Sequence, residues 1–178
     1  YTQLLQRRYE DHLDEEANEF IEYAVDGANR MQRLINDLLM YSRVQTRWKS
    51  FEPVDCHSIL GRVIADLQGR IEETGALVTN DDLPVVRADE GQMRQLFQNL
   101  ISNALKFHGD EPPRVHLSAE KKGPEWVFAV QDTGIGMEPR HHERIFTIFK
   151  RLHGRTEYPG TGIGLAICRR ILQRHRGR

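Results

Sequence analysis

Asn99 and Asn103 stand four residues apart in Asn99-Leu100-Ile101-Ser102-Asn103-Ala104-Leu105-Lys106-Phe107. Leu96, Leu100 and Ala104 mark the core stripe of a helix there, and a spacing of four puts both amides on one other face. Asn is disfavoured inside helices, where its side chain competes for backbone hydrogen bonds, so a pair of them calls for a reason. An amide oxygen is a hard ligand suited to a Mg²⁺ ion that keeps most of its waters and bridges phosphates, and Lys106 borders the same face. The pair fits a solvated helix face equally well.

Two glycine clusters follow. Asp132-Thr133-Gly134-Ile135-Gly136-Met137 comes directly after a predicted strand. Its glycines let backbone approach a flat ligand closely while the carboxylate accepts a hydrogen bond from it, although a turn with an Asp cap has the same form. Gly160-Thr161-Gly162-Ile163-Gly164-Leu165 opens the last predicted helix. Free backbone N–H groups at a helix N-terminus suit a polyphosphate. The segment before it is a polar loop rather than the strand of a βαβ unit, and no Gly-Lys-Ser/Thr follows, so neither a dinucleotide fingerprint nor a P-loop is present.

The elements that must hold these clusters come from a chain of 178 residues, long enough for one good core and an extension. Lys and Arg number 25 against 26 Asp and Glu, and a net charge of -1 argues against a nucleic-acid partner. No apolar run reaches membrane-span length, the longest being Trp126–Val130, so this segment is expected to make no membrane contact. Cys56 and Cys168 form no disulfide framework, and with no secretory leader they suit a reducing, cytoplasmic setting. Tyr1 lies inside a predicted helix and Arg178 follows one with nothing after it, as expected of a piece of something longer.

Residues 1–47 read as helix. Ala17, Ile21, Ala24, Ala28, Met31, Ile35 and Leu38 alternate steps of four and three, and Phe20, Leu34, Tyr41 and Val44 widen the stripe toward that of a helix bundle. Tyr9–Asp14 breaks the pattern and offers Asp14 as an N-cap, giving a hairpin with a short first arm, 1–9. A hairpin this thin cannot bury its own seam, which predicts an oligomer. After Arg47–Pro53 the pattern is mixed: a strand at Phe51–Val54, a helix capped by Asp55 and ended by Gly75, strands at Ala76–Thr79 and Val85–Val86, and a helix from about Glu90, capped by Asp89, to Phe107. Strands Arg114–Glu120 and Trp126–Asp132 follow, joined at Lys122-Gly123-Pro124, and the last helix covers about 162–175. The expected class is α+β: a helical hairpin followed by an α/β sandwich with helices on one face of a sheet.

The ordered set of an Asn pair on a helix, DxGxG after a strand and GTGxGL before a helix resembles the ATP-binding domain of sensor histidine kinases. That class is shared with type II topoisomerases, mismatch-repair ATPases and the 90-kDa heat-shock chaperones. Asn99–Phe107 is similar to its N box, Asp132–Gly136 to its first glycine box, Gly160–Leu165 to its second, and Phe146 and Phe149 to its F box. Asn36–Arg43 resembles the second helix of the dimerisation domain, and Arg151-Leu152-His153 with Tyr158–Gly162 looks like the phytochrome-type branch. The resemblance implies residues 1–48 as a dimerisation and phosphotransfer hairpin lacking its acceptor-histidine part, and 49–178 as an ATP-binding domain cut short at its C-terminal end. It implies a homodimer, a response-regulator receiver domain as partner, and ATP with Mg²⁺. Asn103 would ligate Mg²⁺, with Asn99 lining the same region and Lys106 near the phosphates. Asp132 would accept from the adenine amino group, Gly134 and Gly136 passing the base. Gly160, Thr161, Gly162, Ile163, Gly164 and Leu165 would wrap the phosphates, and Lys150 or Arg151 would act on the γ-phosphate from a lid over about 137–159.

The sequence departs from the family in two ways. None of the eight histidines has the acceptor context; His12, in Asp11-His12-Leu13-Asp14, lacks the following proline, so the acceptor is expected upstream of Tyr1. The chain also stops at Arg178, short of further strands, which would leave a sheet edge open. Within the wider class, members that hydrolyse ATP carry a Glu where Asn99 stands. An amide cannot take a proton from water, which favours transfer to a protein acceptor over a clamp ATPase. A non-catalytic, dimerising nucleotide-binding module is the other reading.

Overall fold

The computed structural model describes residues 1–9, 13–46, 50–152, 154, 158 and 160–178. His12, Arg47, His153 and Pro159 lie outside the described residues. The chain divides into two compact units, Tyr1–Met40 and Tyr41–Arg178.

In the first unit, helix α1 (Thr2–Tyr9) precedes α2 (Glu15–Thr46), whose last turn belongs to the second unit. Asp14 caps α2 as its position suggests, its Oδ1 accepting from Ala17 N at 2.8 Å. Gln3 Nε2 donates to Asn29 Oδ1 across the pair at 3.2 Å. Val25 is buried, whereas Met31, Ile35 and Leu38 of the predicted seam are 59%, 53% and 48% exposed. An eight-residue first arm is too short to cover the far half of a 32-residue helix, so within the first unit that stripe stays open.

The second unit opens on the end of α2, where the Arg170 guanidinium lies 4.2 Å from the Tyr41 ring and Gln92 Nε2 donates to Val44 O at 3.2 Å. Then come β1 (Glu52–Asp55), α3 (Cys56–Thr74), β2 (Leu77–Asn80), β3 (Val85–Ala88), α4 (Glu90–Lys106), β4 (Arg114–Lys122) and β5 (Glu125–Asp132). Two short 3-10 turns, Pro139–His141 and Arg144–Phe146, lead to α5 (Gly164–Arg174). The last helix starts two residues later than the sequence suggests because the glycines of 160–164 are held in a loop.

Strands β1 and β3 form an antiparallel ribbon, and β2-β4-β5 form a mixed sheet in which β2 runs parallel to β4 and β5 antiparallel. The hairpin register pairs Val115 with Asp132. Thr133 extends it by one step, exchanging bonds with Arg114 through its N–H at 3.1 Å and its Oγ1 at 3.0 Å, so the strand end that carries Asp132 is fixed. Helix α4 is the centre of the packing: Phe97, Ile101 and Leu105 are buried against α3, α5 and the β4–β5 hairpin, with the Phe97 and Phe128 rings 6.0 Å apart. β5 forms the other edge of this sheet, with Trp126 and Val127 partly exposed.

The start of α4 is pinned by one carboxylate. Asp89, 8% exposed, caps the helix through Oδ1 to Gln92 N at 3.1 Å, pairs through Oδ2 with Arg174 Nη1 at 3.0 Å, and donates its backbone N–H to His175 Nε2 at 3.1 Å. His175 in turn stacks on Phe51 at 4.4 Å. Removing a carboxylate from a buried pair strands the partner charge and removes the cap together. Asp89→Ala is therefore expected to cost about 3 kcal/mol in chemical denaturation. Asp89→Asn, which keeps the cap, should lose less; an Asp89→Ala change below about 1 kcal/mol would contradict this account.

Candidate functional site

The successive turns of α4 meet the two glycine clusters at three points. At Asn99, the side-chain Nδ2 donates to Gly164 O at 3.1 Å and Oδ1 accepts from Gln95 Nε2 at 3.0 Å. At Lys106, the ammonium lies over the Phe107 ring at 3.9 Å, and a Cβ at Gly160 would come within 3.0 Å of its Nζ. At Phe107, the carbonyl accepts from Ile135 N at 3.0 Å. Asn103 lies between these points on the same face, half-buried, and no described residue hydrogen-bonds its side chain. The two amides thus differ: that of Asn99 is spent on protein partners and that of Asn103 is open.

The first glycine loop is built against the end of α4. Asp132 Oδ1 accepts from Gly134 N at 2.8 Å in a two-residue turn; the residue is exposed, and no described residue hydrogen-bonds its Oδ2. A Cβ at Gly134 would fall 2.4 Å from Phe107 O and 2.6 Å from Asp132 Oδ1, so only glycine lets the loop pass. The second loop is crowded by the lid. Gly162 has φ +75, and its Cβ would meet Lys150 O at 3.0 Å. Ile163 is fully buried and Gly164 begins α5, so those positions offer a ligand only backbone.

The lid residues part company. Phe146 packs beneath Arg169, whose guanidinium is 5.9 Å from the ring. The Phe149 side chain anchors nothing among the described residues: it is 58% exposed, and the residue is attached through its backbone N–H to Gly162 O at 3.1 Å, with φ at +64. Arg151 directs Nη2 to the carbonyls of Gly154, at 3.0 Å, and Tyr158. Lys150 is exposed. The Tyr158 ring lies tilted against Phe107 with centroids 5.0 Å apart, and its hydroxyl donates to His108 O at 3.3 Å, tying the lid's far end to the end of α4.

Burial lowers the Lys106 ammonium to about 8, reinforced by the positive charges of Arg151 and Arg70. Among the described residues no carboxylate pairs with it, so the corner carries net positive charge. Arg70, reaching Ser102 Oγ at 2.9 Å, and Gln95 were not singled out in the sequence. Gln95 had a signal, since it precedes Asn99 by the same four residues that separate Asn99 from Asn103; Arg70, 32 residues away, had none. Cys168, whose thiol burial pushes up to about 12 against a hydrogen bond from Asn99, is a packing residue. No cluster of three or more His, Cys, Asp or Glu fit for a metal occurs among the described residues.

The crowding at Gly134 has a direct consequence. Gly134→Ala forces either the α4 carbonyl or the Asp132 turn aside and is expected to destabilise by about 2 kcal/mol or more in thermal or urea unfolding. Gly136→Ala meets nothing within 4 Å and carries only the φ +70 penalty, about 1 kcal/mol. Equal costs at the two positions would refute the packing described.

Residues 88–178 match the family model for histidine kinase-, DNA gyrase B-, and HSP90-like ATPases, and residues 1–47 match that for the His Kinase A (phospho-acceptor) domain. The chain is 52% identical to cyanobacterial phytochrome A of Nostoc sp. over its whole length and 48% identical to phytochrome-like protein Cph1 of Synechocystis sp. over 99% of it. It spans about a quarter of those relatives, 23% and 24% of their lengths. Full-length ShkA, solved in complex with AMPPNP, superposes with a TM-score of 0.71 at 30% identity over 97% of this chain and 36% of that one. Histidine kinase ThkA, solved with the response regulator protein TrrA, shares the fold with a TM-score of 0.69 at 20% identity over 99% of this chain and 50% of that one. Among the described residues no helix is long and apolar enough to cross a membrane. With both family segments in order and three motifs converging on one helix, the chain belongs to the sensor histidine kinases, a HisKA segment followed by an HATPase_c-type ATPase domain of the phytochrome kind.

Proposed function

We propose that this chain is the kinase core of a two-component sensor, binding Mg-ATP and directing its γ-phosphoryl group to a histidine of its own dimer, for relay to an aspartate of a response-regulator receiver domain. Residues 1–48 would dimerise through the uncovered stripe of α2, and 49–178 would hold the nucleotide. The observation that carries this reading is the convergence on α4: Lys106 beside Gly160, Asn99 on Gly164 and Phe107 against Gly134 and Ile135.

The residues present fit such a ligand. Asp132 Oδ2 would take the adenine amino group beside the loop that Gly134 keeps thin, and the backbone of 160–165 with Lys106 would take the phosphates. Asn103, its amide open, would supply a carbonyl oxygen to Mg²⁺, and the ion's chemistry there is to neutralise phosphate charge. Of Lys150 and Arg151, Lys150 would face the γ-phosphate; Arg151, bound to loop carbonyls, would shape the lid instead. Asn99 is an amide already held by Gln95 and Gly164 and supplies no base for water, which weighs against steady ATP hydrolysis.

Calorimetric titration of Mg-ATP tests the reading: Asp132→Asn and Asn103→Ala should each weaken binding at least about tenfold, the loss expected when a charged or metal-linked hydrogen bond goes. Unchanged affinity in both would sink the nucleotide assignment. A pH series adds a signed test. Below about 8 the Lys106 ammonium is already charged when the anion arrives; above it, binding must take up a proton. Affinity should fall about tenfold from pH 7 to pH 9, and Lys106→Met should flatten that slope.

A further inference from the structure

Helix α5 begins without a side-chain cap, since Ile163 at its N-cap position makes no capping bond. Its first N–H groups are thereby left to the glycine loop and to whatever the loop holds. What fixes the start of the helix is a bond to a carbonyl instead: Asn99 Nδ2 donates to Gly164 O at 3.1 Å, and the Asn99 side chain is near enough to Gly164 that a Cβ there would touch its Cγ at 3.7 Å. An amide can present either end, and the two ends are opposite in hydrogen-bonding sense. Turned over, Asn99 would set its oxygen against the Gly164 oxygen. From the other side Gln95 favours the productive orientation: its Nε2 donates to Asn99 Oδ1 at 3.0 Å, one turn earlier on α4, while Cys168 on α5 takes a further hydrogen bond from Asn99. Gln95 and Asn99 are both half-buried, where an unmatched amide end is costly.

We propose that Gln95 is a positioning residue for the phosphate loop, holding the Asn99 amide in the orientation that pins the first carbonyl of α5. This rests on the nucleotide reading above and deepens it by a residue that touches no ligand. A chain of side chain, side chain and main chain, Gln95 to Asn99 to Gly164, sets where the second glycine loop ends. Loss of the Gln95 donor frees the Asn99 amide to turn and lets the loop shift, so the effect is on the bound phosphates rather than on the core.

The experiment is Mg-ATP titration of the 178-residue chain and its variants, with unliganded melting as a control. Gln95→Met, which keeps the stem and removes the donor, should weaken binding about fivefold to tenfold while melting within about 2 °C of wild type. Gln95→Glu, nearly the same shape with an acceptor facing Asn99, should lose at least as much and serves should Gln95→Met fold poorly. In an Asn99→Ala background Gln95→Met should change affinity less than twofold, because a residue that acts through Asn99 has nothing left to orient. Wild-type affinity in Gln95→Met or Gln95→Glu, or an equal loss with and without Asn99, would overturn the proposal. Failure of the wild-type chain to bind would instead overturn the nucleotide reading.

Discussion

Everything at the candidate site depends on one carbonyl. Phe107 O, at the end of α4, accepts from Ile135 N at 3.0 Å while Gly134 passes so close that a methyl group would lie 2.4 Å away. A helix C-terminus leaves such carbonyls without intrahelical partners, and here one of them docks the strand-to-loop exit of β5. The approach dictates glycine at 134, fixes the Asp132 carboxylate beside the helix, and brings the adjacent Lys106 ammonium into the same corner. The other end of the construction is the carboxylate of Asp89, which ties the start of α4 to the tail of α5. With α4 held at both ends and buried along Phe97, Ile101 and Leu105, its polar face becomes a rigid ruler against which two loops are set.

The charge of the corner is part of the same design. A lysine ammonium half-removed from water beside two guanidinium groups is less favourable than one in solvent, and on the proposed reading a polyanion would relieve that cost on binding. The lid carries a second such strain, Phe149 with a left-handed backbone and an exposed ring, held by a single bond to Gly162.

Much of this was legible in the residue order. Caps at Asp14, Asp55 and Asp89 were readable because a carboxylate before an apolar 3.6-period run has one job, and the hairpin at Lys122–Pro124 because glycine and proline punctuate two alternating runs. The Asn99/Asn103 spacing and the two glycine clusters marked the site. What the sequence could not reveal was partnership at a distance. Nothing in Asn99 says that its amide is taken by Gly164, 65 residues on, while that of Asn103 is open; nothing in Arg151 says that its guanidinium closes on its own loop. The parallel pairing of β2 with β4 was equally hidden, since a four-residue strand carries no signal of its direction.

The central claim is that a nucleotide lies along α4 between the two glycine loops. Backbone amide chemical-shift mapping during Mg-ATP titration tests it most directly. The account predicts the largest shifts in Asn103–Phe107, Asp132–Gly136 and Gly160–Gly164, with the β1–β3 ribbon unmoved. Shifts centred elsewhere, or spread evenly over the second unit without these three segments standing out, would contradict it.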